Sequence, residues 1–191
     1  MNFRETVRRN RSYRRFYQNH EIGYQTLRDL VDLARLTPSA ANRQPLRYIL
    51  SHYREKNALI FNYLAWAAHL PDWKGPGEGE RPSAYIIVLG DMTVSKKVEW
   101  DHGIAAQTIL LGAASMGLGG CMFASIDREG LRIALTIPVT YEILLVIALG
   151  KPKEIVEIDA VGPDGDIRYW RDKEGVHHVP KRELDDLILD L

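Results

Sequence analysis

The chain has 191 residues, enough for a single domain with a substantial core over residues 1–191, and its 25 basic and 25 acidic side chains cancel. The absence of net charge argues against nucleic acid or a membrane surface as a partner. A single cysteine, Cys121, excludes an intrachain disulfide, and the lack of a signal-like apolar run after a basic N-terminus predicts a cytoplasmic protein.

The N-terminal region predicts a short helix followed by a basic segment. Residues 2–9 could form the helix, with Asn2 and Glu5 as a capping box. The sequence RRNRSYRRF at 8–16 then places five arginines around Ser12. A solvated basic turn is one interpretation. The other is a phosphate site, because guanidinium groups and a hydroxyl are the donors that a phosphate monoester binds.

A helix over residues 24–36 is predicted by apolar side chains at i, i+3, i+4 and i+7, and Pro38 ends it. The loop PSAANRQP at 38–45 follows, with small side chains and two amides between prolines. A plain connection between a helix and a strand would need no such set. Amides both donate and accept hydrogen bonds, which suits the edge of a heterocycle or a ribityl chain.

The middle of the chain alternates strands with helices. Strands are predicted at 47–51, 84–89, 121–125 and 141–149, and helices at 54–68, 103–116 and 128–135. This alternation predicts a mixed sheet between helices, and KGPGEGERP at 74–82 predicts a surface loop. The aromatic stretch 66–73 could cover a pocket or pack in the core.

The predicted helix at 103–116 carries no charged residue and no broad polar face, so we expect it to be buried on nearly all sides, within the protein or between subunits. It is short for a bilayer span of about 20 residues. Asp101 is expected to cap its first turn, and Gly117 to stop it in a left-handed conformation. The glycines at 117–120 follow a helix and precede a strand, the reverse of a dinucleotide-binding fingerprint.

The C-terminal tail is polar, and we expect irregular structure at 151–179 and a short helix at 183–191. The six histidines show no ligand spacing with acidic residues or cysteine, so no metal site is predicted. Lys181 and Arg182 could be a surface pair or an anion contact. Cys121 lies in an apolar segment, where an inert buried thiol is expected, and no catalytic side chain is predicted.

Four motifs in this order, NRSYRRF, PSAANRQP, GIAAQTILLGAASMGLGGCMF and VPKR, resemble the nitroreductase family of FMN-dependent oxidoreductases over essentially the whole chain. The resemblance implies an α+β fold, α/β/α-like, with a mixed, mainly antiparallel sheet flanked by helices. It also implies an intertwined homodimer with FMN at two interface sites. One subunit would supply the basic segment and the C-terminal pair, and its partner the PSAANRQP loop.

The resemblance also implies a set of cofactor contacts. Arg11 and Ser12 would lie at the FMN phosphate or ribityl chain, and Arg14 near the pyrimidine edge of the ring. The other implied contacts are Pro38, Ser39, Asn42 and Gln44 from the partner subunit, Met122, Ala124 and Ser125 beside the ring, and Lys181 and Arg182 at the phosphate. Many family members have Arg where this chain has Asn10, which leaves the phosphate cluster one cation short.

The implied activity is a ping-pong transfer of hydride from NAD(P)H to FMN and then to an electron-poor small molecule, such as a nitroaromatic or a quinone. The aromatic stretch 66–73 is the expected lid that selects this oxidant. Three alternatives stay open: a reductive dehalogenase-like relative, an FMN storage or sensor protein without nicotinamide turnover, and an interaction protein with incidental basic turns.

Overall fold

The computed structural model describes residues 2–70 and 72–190, and a four-stranded sheet lies at its centre. The strands are β1 (Leu46–Ser51), β2 (Ala84–Asp91), β3 (Gly119–Phe123) and β4 (Tyr141–Gly150), in the order β1-β2-β4-β3 and antiparallel throughout. β2 is buried along its whole length, as its continuous apolar sequence predicts. β3 begins and ends two residues earlier than predicted.

The described residues form five α-helices, of which all but the first pack on the two faces of this sheet and the first packs on the fourth. They are α1 (Phe3–Arg9), α2 (Tyr24–Arg35), α3 (Arg54–Phe61), α4 (Asp101–Ser115) and α5 (Arg128–Leu135). Two core clusters result, one with α2 and α4 and the other with α3 and α5. Ile86 points into the first cluster and Ile87 into the second, because successive strand side chains face opposite ways. The predicted α+β fold, with its mainly antiparallel sheet flanked by helices, is confirmed.

The helix predicted at 54–68 ends at Phe61, seven residues early. Beyond it the backbone bonds to the segment after β3 instead of continuing a helix. The Ala65 amide donates to the Ser125 carbonyl at 3.0 Å, and the Asp127 amide donates to the Tyr63 carbonyl at 2.9 Å. Tertiary hydrogen bonds therefore override the helical spacing of the apolar side chains.

The tail predicted to be irregular contains a second sheet of three strands, β5 (Val156–Ala160), β6 (Trp170–Arg171) and β7 (His177–Lys181). Its order is β5-β7-β6, with β5 parallel to β7. The helix predicted at 183–191 is also wrong over residues 183–190, which form only a turn around Leu184. Leu184, Leu187, Ile188 and Leu189 are 58–76% exposed, so a helix there would have no surface to pack on.

Helix α4 departs from its prediction at one end and on one side. Trp100 is its N-cap, and the Asp101 side chain caps nothing in this helix. Gly117 does end it, at φ 74°. Ile104 and Met116 are 41% and 49% exposed, and Gln107 is exposed between them, so burial on nearly all sides is wrong for the single chain.

Gly120 lies where β3 passes closest to β4 and α4. A Cβ at this position would lie 2.4 Å from the Ala148 carbonyl oxygen and 2.7 Å from Leu110 Cδ2. Because the first of these atoms is backbone, Gly120→Ala should lower the free energy of unfolding by about 1–2 kcal/mol in urea titrations. Gly77→Ala, whose Cβ would meet nothing within 4 Å, is the matched control and should change it by less than about 0.5 kcal/mol. Equal losses in both variants would contradict the close approach.

None of the helices in the described part of the chain has the length and apolar character needed to cross a membrane.

Candidate functional site

A cavity of about 260 Å³, here called the basic pocket, joins the segment after α1 to strand β7. Its lining includes four of the predicted contacts, Arg11, Ser12, Arg14 and Lys181. The basic segment is held in place by strand-like bonds, since Ser12 forms a bridge with Gly120 at the start of β3. The two basic motifs, about 170 residues apart in sequence, therefore meet at one cavity.

Arg11 supplies an unused donor at this pocket. Its Nη2 donates to the Val7 carbonyl at 2.9 Å, while its Nε is buried and has no hydrogen-bond partner among the described residues. Burial lowers the pKa of Arg11, but a guanidinium stays charged in proteins. A buried charged donor without an acceptor is unfavourable, so a ligand oxygen at this position would stabilise the pocket.

Glu154 fixes the backbone of the basic segment. Its side chain is fully buried and accepts from the backbone amides of Arg14 and Arg15, and Arg171 Nη2 donates to its second oxygen at 2.9 Å. Arg15 itself pairs with Glu80 through two bonds of 2.5 and 2.7 Å. Arg15 is therefore already engaged and cannot replace the missing cation at Asn10.

The PSAANRQP loop is anchored to α4 through Asp101. The Asp101 carboxylate, expected to cap its own helix, instead accepts from the Ser39 hydroxyl and from the Ala40 amide, the latter at 3.1 Å. Ala41, Asn42 and Gln44 adopt φ of 51–52°, which the anchored loop imposes. Asn42 and Gln44 bond to each other at 3.1 Å and are exposed.

The loop residues Pro38, Ser39, Asn42 and Gln44 do not line the basic pocket of their own chain. Their assignment to a partner's cofactor stays a prediction. The same holds for Met122, Ala124 and Ser125, which form an exposed surface at the end of β3. Arg182 directly follows β7, is exposed and does not line the pocket, so its role at a phosphate is also untested.

Residues 7–151 match the family model described as the Nitroreductase family. The chain belongs to the nitroreductase family. A protein of Archaeoglobus fulgidus, provisionally named as an NADH dehydrogenase/NAD(P)H nitroreductase, is 30% identical over 73% of this chain and 80% of its own length. A protein of Methanothermobacter thermautotrophicus with the same provisional name is 32% identical over 81% of this chain and 79% of its own length. An FMN-dependent nitroreductase from Clostridium difficile R20291 shares the fold, with a TM-score of 0.60, 23% identity and coverage of 78% and 87% of the two chains.

Two residues of the basic pocket that sequence reasoning missed lie beyond the part that matches the nitroreductase model. His177 Nε2 lies 3.2 Å from Arg14 Nη1, and the Arg14 guanidinium carbon lies 4.9 Å from the centroid of the Tyr169 ring. Because a guanidinium can only donate, His177 Nε2 accepts and its proton is on Nδ1. Burial and the neighbouring Arg14 and Arg171 lower the pKa of His177 to about 4, so the ring is neutral near pH 7.

Strand alternation could have revealed His177. His177, Val179 and Lys181 are spaced two apart on β7, and all three line the basic pocket. The motif VPKR therefore continues a strand that begins at His177, and the polar composition of the tail concealed this strand. Nothing in the local sequence indicates Tyr169, which reaches the pocket from the loop before β6.

On the other face of β7, His178 lies between Asp159 at 2.8 Å and Asp172 at 3.4 Å. Burial disfavours its charged form, but hydrogen bonds with Asp172 and Asp159 outweigh this and raise its pKa. Glu157, Asp159 and His178 bring possible metal ligands within 4.8 Å of one another, although no ligand spacing was evident in the sequence. Both ring nitrogens of His178 are already paired with the carboxylates of Asp159 and Asp172.

Tyr169 also ties the basic pocket to the aromatic segment, defined here as residues 66–70 with Trp73. Its hydroxyl accepts from the His69 amide at 3.2 Å, and its ring lies 4.9 Å from the His69 ring. From the same hairpin, the Arg171 guanidinium lies 4.3 Å from the centroid of the Trp73 ring. The expected lid is therefore held by the C-terminal sheet.

Replacing Tyr169 by phenylalanine should loosen the aromatic segment without unfolding the protein. The substitution keeps the ring and removes one hydrogen bond of about 1 kcal/mol, so hydrogen exchange at the His69 amide should speed up about fivefold. Tyr17→Phe, at a tyrosine that is 46% exposed, is the matched control. Exchange at His69 that is as slow in Tyr169→Phe as in the control would contradict the anchoring role.

Proposed function

We propose that the chain is an FMN-dependent NAD(P)H oxidoreductase that reduces an electron-poor small molecule, such as a nitroaromatic or a quinone, in a ping-pong cycle. The observation that carries the proposal is the basic pocket, with three cationic side chains, the Ser12 hydroxyl and the unused Arg11 donor. Membership of the nitroreductase family supports it, as do the relatives named for NAD(P)H and the FMN-dependent relative of the same fold.

The donor set of the basic pocket fits a phosphate monoester. Such a group carries a charge of about −1.5 to −2 near neutral pH and has three terminal oxygens. Arg11, Ser12 and Lys181 line one cavity and bring their donors from two parts of the chain, the segment after α1 and strand β7. Lys181 would supply the charge that Asn10 lacks.

FMN, when bound, supplies the redox chemistry, since its ring accepts hydride at N5 and passes the electrons on. The chain's own residues would bind and orient it. Arg14, held between His177 and Tyr169, would place a fixed positive charge at the pyrimidine edge and so stabilise negative charge there. Met122, Ala124 and Ser125 would form the exposed surface beside the ring, with the Trp66 ring 4.6 Å from Phe123 next to them.

We further propose that the working form is a homodimer. The exposed side of α4, with Ile104 and Met116, and the exposed leucines of residues 184–189 together need a cover that the single chain does not provide. A second copy would also bring the PSAANRQP loop to the basic pocket of its partner. Light scattering should give twice the chain mass of 21.8 kDa, and a mass of one chain would contradict this proposal.

The visible spectrum of the FMN-loaded protein under anaerobic conditions tests the function. We expect the flavin band to bleach with NADH or NADPH and to return when a quinone or a nitroaromatic is added. A protein that retains no flavin would contradict the proposal. A protein that keeps FMN but never bleaches with either nicotinamide would favour the storage or sensor alternative.

A further inference from the structure

A second and larger cavity, of about 900 Å³, lies at the end of β1 and the start of β2. It is called the edge cleft here. Its walls come from the segment before α2, from the start of α3 and from the residues that lead into β2. It shares no lining residue with the basic pocket, and the proposed redox function leaves it unused.

Two helices begin at the edge cleft. Gly23 is the N-cap of α2 and Tyr53 is the N-cap of α3, and both residues line the cleft. Neither helix has a side chain that caps its N-terminus. The first backbone N–H groups of a helix have no acceptor within it, and the helix dipole makes this end positive. Two such ends at one cavity favour an anion.

The edge cleft also contains side-chain donors without acceptors. Tyr85 is only 1% exposed and lines the cleft, and its hydroxyl has no partner in the described part of the chain. Arg81 lines the cleft as well, and its buried Nε likewise has no partner there. The Arg81 guanidinium is fixed by the ring of Phe61, whose centroid lies 4.3 Å away. These donors are a second, independent reason to expect a ligand with several acceptor oxygens.

The buried amide of the cleft, Asn57, is already satisfied. Asn57 donates to the Ser83 carbonyl at 2.6 Å and accepts from the Ser51 hydroxyl at 2.7 Å. Among the described residues, the buried groups of the cleft left without a partner are Arg81 Nε, which can only donate, and the Tyr85 hydroxyl, which can donate. Two such donors at one cavity favour a ligand with acceptor oxygens.

The Glu78 carboxylate would compete with such an anion for the arginines of the cleft. Its carboxylate pairs with Arg54 at 2.9 Å and with Arg81 at 3.6 Å, and its side chain is 61% exposed. Glu21 is the other carboxylate that lines the cleft. Because exposed ion pairs contribute little, a ligand with more acceptor oxygens and a higher charge could displace Glu78 from the arginines.

We propose that the edge cleft binds a phosphate monoester through Arg81, Tyr85 and the N-termini of α2 and α3. A phosphate suits it better than a carboxylate, because three terminal oxygens can accept from more of these donors than two can. The cleft has room for more than the phosphate. The rings of His52 and Tyr53 are both in the lining, with centroids 3.9 Å apart and planes tilted by 37°, and they offer an aromatic surface to the rest of the molecule.

The test is calorimetric titration of the FMN-saturated protein, in which the proposed cofactor already fills the basic pocket. Inorganic phosphate and adenosine 5′-monophosphate are the two probes. We expect both to bind, and adenosine monophosphate to bind more tightly if the aromatic surface takes part. If inorganic phosphate binds equally well, the phosphate group is the whole ligand. No heat with either probe at millimolar concentrations would overturn the proposal.

Single substitutions should change the affinity for the probes in a direction that depends on the residue. Tyr85→Phe and Arg81→Gln should each weaken the binding of the tighter probe about tenfold or more, since each removes a hydrogen bond to a charged ligand. Glu78→Gln should strengthen it two- to fivefold, because the competitor loses its charge. Unchanged binding in Arg81→Gln, or weaker binding in Glu78→Gln, would overturn the assignment even if Tyr85→Phe fails to fold.

A variant of the basic pocket separates this inference from the proposed function. Arg11→Gln should leave the affinity for both probes unchanged, because Arg11 does not line the edge cleft. If the protein takes up no FMN, the redox proposal fails, yet the edge-cleft variants still report on the second site. If Arg11→Gln abolishes binding while Arg81→Gln does not, the probes occupy the basic pocket and the edge cleft is not a phosphate site.

Discussion

Replacing Glu154 by glutamine should lower the free energy of unfolding by about 3–5 kcal/mol, the usual cost of removing one partner from a buried ion pair. Glu154 is fully buried at its side chain, and the Arg171 side chain opposite it is only 15% exposed. Glutamine has the same shape and keeps one carbonyl oxygen for the Arg14 and Arg15 amides. The loss would therefore come from the uncompensated charge of Arg171.

Urea unfolding of the purified variants measures this loss. Glu174→Gln is the matched control, because Glu174 is exposed in the turn between β6 and β7, and its effect should stay below about 0.5 kcal/mol. A Glu154→Gln variant as stable as this control would mean that Arg171 reaches water or another acceptor. It would also mean that the bonds from the Arg14 and Arg15 amides to Glu154 are not what holds the basic segment in place.

The central sheet could be predicted because its strands are local and apolar. β2 and β4 are continuous apolar runs of the kind that a strand buried on both faces requires, and their bounds were correct to within two residues. The meeting of the basic segment with Lys181 could also be predicted, from the order of the motifs and the family resemblance. Each of these features depends on a short stretch of sequence, an apolar run or a motif, that can be recognised without the rest of the chain.

The second sheet could not be predicted because its strands are short and polar. β5 pairs in parallel with β7 across 16 residues, which leaves no local signal, and β6, although a short turn joins it to β7, has only two residues. His177 on β7 and Tyr169 directly before β6 reach the site through this sheet, whereas Glu154 is placed by the bridge between Pro152 and Phe16. Sequence reasoning found the cations of the site and missed the groups that hold them.

Asp101 shows how a local rule fails when a tertiary partner competes. An aspartate at the start of a helix is a common cap, and the sequence offered no reason to place it elsewhere. In the fold it accepts from Ser39 and Ala40, about 60 residues earlier in the chain. The helix begins uncapped, and the PSAANRQP loop is anchored in exchange, which indicates that the position of this loop is constrained more strongly than the helix end.

Replacing Arg14 by alanine should raise the dissociation constant for FMN about ten- to a hundredfold, the equivalent of one hydrogen bond to a charged group. Arg14 is the cation that both His177 and Tyr169 contact, and it lines the basic pocket. Its loss would remove a charge from the proposed site and leave His177 Nε2 without its donor. Arg14→Lys should recover part of the affinity, since lysine keeps the charge but not the planar geometry.

Fluorescence titration of the apoprotein with FMN at fixed salt measures these constants, because FMN emission changes on binding. Arg8→Ala is the matched control for the loss of one positive charge, as Arg8 is exposed on α1 and does not line the pocket. It should change the dissociation constant by less than about twofold, since exposed charges are screened by salt. If Arg8→Ala weakens FMN as much as Arg14→Ala does, the basic segment attracts the cofactor only through its overall charge. The fixed Arg14 guanidinium would then have no specific role at the ring, and its clamp of His177 and Tyr169 would serve the fold alone.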